Sequence, residues 1–190
     1  AAIALANTWA VVGGGVAAVV PDNALDTVRA RNLNLILLGG ARTNSAARKL
    51  SSHQPFEFLD ADGAVALLEG GFRLGSCNYA GKGYGLVSLG PRFAKEYAAH
   101  AHGVVQREAG LIVTIAGTTL NSFSNALEMF KSNLFVTNSW QHRIPEFIVS
   151  GPGYSRGQNA HTTLNGVLAA GWWGNHWEFR PETSVTLECK

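Results

Sequence analysis

Leu35-Ile36-Leu37-Leu38-Gly39-Gly40-Ala41-Arg42-Thr43-Asn44-Ser45 decides how this chain is read. A compact apolar run ends in two glycines, and a polar triplet suited to capping a helix follows. Continuous apolar runs of this length suit strands buried on both faces. The same pattern returns at Ile112-Val113-Thr114-Ile115-Ala116-Gly117-Thr118-Thr119-Leu120-Asn121-Ser122. Each unit reads strand, small-residue turn, Asn-Ser, helix. Two copies are too few for a solenoid, which needs at least about three. They point instead to layered α/β architecture, in which strands feed helices through tight turns.

Outward from these units the pattern varies. Ile3 to Val12 predicts a short helix stopped by Gly13-Gly14-Gly15, and Val16 to Val20 a short buried strand. Asp22 or Asn23 then caps a helix over Ala24 to Arg31. Thr43, Asn44 or Ser45 caps another through about Ser52. Between Phe56 and Leu89, short alternations punctuated by glycine predict strands and hairpins, mostly antiparallel. Pro91 to Ala109 reads as a loop with a short helix. Leu111 to Ala116 is a second buried strand, and Asn121 to Phe130 a capped helix. Pro145 to Ser150 and Gly166 to Ala170 are further strands. The fold expected is α/β: a Rossmann- or flavodoxin-like layered sheet, mainly parallel, with an antiparallel hairpin insertion around 56–90. Residues 1–190 form one domain in this reading, either a processed chain or a piece of a longer one.

Composition narrows the function classes. Hydrophobic residues make up 46% of the 190 and charged residues 15%. This is too apolar and too weakly charged for an intrinsically disordered chain. The net charge of +2 lacks the basic excess of most nucleic-acid binders. No run of 18 apolar residues is present, so no membrane span is expected. The first segment lacks a basic n-region and cleavage site, so an intact secretory precursor is not expected. Cys77 and Cys189 allow one disulfide or two buried thiols, and no CxxC is present.

Four constellations offer chemistry. In open α/β sheets, ligands bind beyond the carboxyl ends of the strands, and a helix N-terminus there attracts anions. That makes Gly39, Gly40, Thr43, Asn44, Gly117, Thr118 and Asn121 candidate ligand-binding residues. The competing reading is that the asparagines cap helices and the glycines relieve strain. Neither turn matches a dinucleotide or P-loop fingerprint, so no cofactor is expected. For hydrolysis, no G-x-S-x-G is present. The catalytic candidates are His161, His176, Glu178 and Ser150. For metals, His100-Ala101-His102 and Asp60-Ala61-Asp62-Gly63 are incomplete, and no metal site is expected. Trp172, Trp173 and Trp177 could stack a carbohydrate, face a partner or pack internally.

The order of these elements, ending in Gly171-Trp172-Trp173-Gly174-Asn175, resembles a region of large secreted fungal and bacterial proteins related to α/β-hydrolases and prolyl-oligopeptidase-like esterases. The resemblance covers most of the chain from Ala1 to Phe179 and carries over no catalytic residue. It implies a secreted, non-catalytic accessory or interaction domain whose partner domain or chain holds the nucleophile. Two alternatives stay open. One is a small hydrolase with a His/Glu or Ser/His site; the other is a carbohydrate- or cell-wall-binding module using the tryptophans.

Overall fold

The structure is a computed structural model describing residues 1–25, 30, 33–60, 68–93, 108–135, 145–154 and 166–186. The two echoing strands lie side by side. β1 (Leu35–Leu38) runs parallel to β6 (Glu108–Gly117), with Leu35 opposite Ile112 and Leu38 opposite Ile115. The sequence echo and the strand register are therefore the same alignment. Gly39 is left-handed, at φ +100°, and its N–H donates to Ile115 O at 2.8 Å, extending the ladder by one residue.

This pair is the parallel part of a six-stranded mixed sheet in the order β1-β6-β5-β7-β8-β9. β5 (Gly85–Phe93), β7 (Phe147–Ser150), β8 (Val167–Trp173) and β9 (Phe179–Thr186) all pair antiparallel with their neighbours. β2 (Glu57–Leu59), β3 (Gly71–Leu74) and β4 (Cys77–Ala80) form a second, wholly antiparallel sheet. This overturns the expected mainly parallel Rossmann- or flavodoxin-like sheet. The physical reason is that a continuous apolar run reports burial on both faces, not strand direction. Here the second cover is largely a small sheet.

One face of the large sheet carries α3 (Leu120–Phe135), whose Ala126, Leu127 and Phe130 pack on Ile115. Leu5 of α1 (Ala2–Gly13) joins that cluster. On the other face, Ala46, Ala47 and Leu50 of α2 (Ser45–Leu50) cover Leu37 and Ile112. Beside them Phe72, Leu74, Cys77 and Tyr79 of the small sheet meet Leu86, Ala116, Phe147, Val149 and Trp173. The result is three layers, with two hydrophobic interfaces flanking one sheet.

Other sequence expectations change too. Val16 to Val20 is not a strand; Val16 is 97% exposed. A 3-10 turn spans Asp22–Ala24, and part of the helix expected over Ala24 to Arg31 lies outside the described residues. β5 and β6 extend into Phe93 and Glu108, within what reads as a loop. β9 was invisible to periodicity because its edge position leaves Arg180-Pro181-Glu182-Thr183 outside the core.

Candidate functional site

The parallel pair sets two strand-turn-helix loops next to each other, where an anion or polar ligand is expected. The chain's own carboxylates occupy the first loop. Arg42 N–H donates to both oxygens of Glu69 at 3.2 Å, and Thr43 Oγ1 donates to Glu69 Oε1 at 3.1 Å. Glu69 is 1% exposed, and burial pushes its carboxyl above the usual carboxylate range despite these bonds. Gly40 makes room for it: a Cβ there would lie 2.5 Å from Glu69 Cδ and from Phe58 Cε1. Asn44 caps α2, its Oδ1 accepting from Ala47 N–H at 2.9 Å, and its Nδ2 donates to Leu38 O. Asp22 accepts from Ser45 N–H at 2.6 Å, and that bond holds its carboxyl below the usual range.

The second loop is also internally satisfied. Thr118 Oγ1 accepts from Gly83 N–H at 3.0 Å and Tyr84 N–H at 3.1 Å. Its carbonyl accepts from Leu68 N–H at 2.8 Å. The segment Leu68-Glu69 thereby ties the two loops together. Thr119, not Asn121, caps α3: Ser122 N–H donates to Thr119 Oγ1, and Thr119 N–H donates back to Ser122 Oγ. Asn121 is exposed. A Cβ at Gly117 would lie 2.2 Å from Phe123 N, so this turn admits only glycine without a backbone shift.

Glu69 was missed by sequence reasoning. Its signal was a single carboxylate inside the apolar stretch Val65 to Phe72, immediately before Gly70-Gly71. An isolated acid in such a setting is buried with partners or not buried at all.

Among the described residues, the hydrolytic candidate Ser150 does not meet His176 and Glu178. Ser150 is 1% exposed, with its hydroxyl against the Gly85 backbone. It pairs with Val167 at one end of β8, whereas His176 lies in the turn beyond Trp173 at the other end. The seven residues of β8 hold those ends about 20 Å apart. Glu178 is engaged locally: Oε2 accepts from His176 N–H at 2.9 Å and Oε1 from Arg180 Nε at 2.7 Å. Its own backbone N–H, then Arg180, hold its pKa down to about 2. His161 lies outside the described residues, as do His100, His102 and Asp62. Among the described residues, no three His, Cys, Asp or Glu side chains gather as metal ligands.

The tryptophans separate as well. Trp172 and Trp173 are neighbours on β8, so they face opposite sides of the sheet. Trp173 is core: its ring lies 4.4 Å from that of Phe147, and its indole N–H donates to Leu89 O at 2.7 Å. Trp177 packs on the same cluster, with φ at +64°. Trp172 is 37% exposed and borders an apolar groove of about 180 Å³ with Pro145, Leu168, Ala170 and Val185. That lining offers a sugar almost no hydrogen-bonding side chains.

The fold is thus a three-layer α/β domain whose loops at the carboxyl ends of the parallel strands are filled from within. Comparison with family models, with curated proteins and with solved structures returns no match.

Proposed function

We propose that this chain is a non-catalytic accessory or interaction domain of a secreted hydrolase-like protein, and that it docks on a partner domain or chain through apolar surface. One observation carries the reading. From Ala1 to Pro21 there is no charged side chain, yet among the described side chains of α1 only Leu5 is buried, and Val11 is 85% exposed. A helix that is apolar all round is normally buried all round, and large exposed apolar patches mark interaction sites. No helix among the described residues is long and apolar enough to cross a membrane.

The site geometry supports the same reading. Glu69 and Asp22 fill the positions an anionic substrate would take, and Ser150 is sealed away from His176. Cys77 is disulfide-bonded, which suits an oxidising, extracellular setting. The test uses native material and a Val11→Lys/Val16→Lys variant. The reading expects the variant to keep its thermal midpoint and lose its co-purifying hydrolase-like chain. Ester or peptide turnover by the isolated chain, abolished by His176→Ala, would instead establish a self-contained enzyme.

A further inference from the structure

The two edges of the large sheet are built differently. β9 is a guarded edge. Pro181 cannot donate to a ladder, and the β8–β9 register shifts between Gly171 and Trp173. Thr183 and Ser184 turn their hydroxyls onto Arg180 O, and Arg180 and Glu182 place charges along the strand. Proline, irregularity and charge are how native proteins keep an edge from pairing with another chain.

β1, at the opposite edge, has none of these. Leu35-Ile36-Leu37-Leu38 carries no charge, no proline and no register shift. Its free main-chain groups follow from the ladder. Gly39 N–H points to β6, and strand direction alternates, so Leu35 and Leu37 also turn inward. Asn34, Ile36 and Leu38 therefore turn their backbone groups outward. Leu38 O already accepts from Asn44 Nδ2. Among the described residues nothing pairs with the N–H and C=O of Ile36 or with the N–H of Leu38. Beside them the Ile36 side chain is 40% exposed, and that of Leu33 is exposed too.

We infer that β1 is a self-association edge, and that its occupant is β1 of a second copy of this chain. The edge is self-complementary in antiparallel register about a two-fold axis at Ile36. Ile36 N–H then donates to Ile36 C=O of the second copy, and reciprocally. Leu38 N–H meets the outward Asn34 C=O, whose side chain already receives Leu111 N–H. Both Ile36 side chains fall on the same side of the joined sheet and cover each other. The isologous contact uses one patch on each copy, as closed dimers do. Its small size places it among weak interfaces.

The experiment is light scattering and sedimentation of the full chain from about 1 μM to 1 mM, the range a weak interface occupies. A concentration-dependent shift from 20.2 kDa to twice that mass is expected. Ile36→Lys alters a half-exposed side chain and is expected to raise the dimer dissociation constant at least about tenfold, with an unchanged circular dichroism spectrum and thermal midpoint. Val185→Lys, on the guarded edge, is expected to leave dimerisation intact. A chain that stays monomeric throughout overturns the inference. So does a dimer that survives Ile36→Lys or is broken only by Val185→Lys.

Discussion

Glu69 is the residue on which the candidate site turns. It is an ionisable group held in a dry loop by a backbone N–H and a threonine hydroxyl. Burial raises its pKa, so the folded state holds the proton more tightly than the unfolded state. Its contribution to stability is then greatest below the ordinary carboxylate pKa and is lost as pH rises through the raised value. Glu69→Gln keeps an acceptor for Arg42 N–H and removes the titration. Thermal midpoints of the two proteins, compared between about pH 4 and pH 8, should differ in a pH-dependent way. The Gln variant should gain on the native chain as pH rises; a constant difference would sink this account. Glu178 behaves oppositely, since a pKa of about 2 keeps it ionised across that range.

At the scale of elements, the two echoing units differ in how their helices begin. α2 is capped by Asn44, as the sequence suggests, whereas α3 is capped at Thr119, two residues before Asn121. Thr119 and Ser122 satisfy each other's N–H groups, a reciprocal arrangement worth about 1 kcal/mol at the cap residue. Thr119→Ala should therefore lower unfolding free energy by about 1 kcal/mol, measured by denaturant titration. Asn121→Ala, at an exposed position, should change it by less than about 0.5 kcal/mol. The reverse ranking would return the cap to Asn121. Element existence was readable here because apolar runs and capping residues are local signals. The exposed edge strand β9 and the strandless Val16 to Val20 were misread because edge position and exposure are not local properties.

Across the whole molecule, the disulfide at Cys77 anchors a buried position of the small sheet. Closing a long loop restricts the unfolded chain, so reduction, or Cys77→Ser, should cost about 2–5 kcal/mol. Melting with and without reductant checks this, and an unchanged midpoint would show that the bridge contributes nothing. The same molecular scale separates what each level of description determined. Sequence alone located the strand-turn-helix units, and their mutual alignment is the parallel register itself, because equivalent side chains meet equivalent neighbours on one sheet. It also marked the residues of both loops. Only the tertiary structure decided strand direction across the rest of the sheet, since burial on two faces looks alike whichever way a strand runs. Only the tertiary structure, likewise, brought Glu69 across 26 residues to Thr43 and filled the expected anion site with the chain's own carboxylate. Long-range pairing of a buried charge depends on which segments the fold brings together, and no local pattern records that.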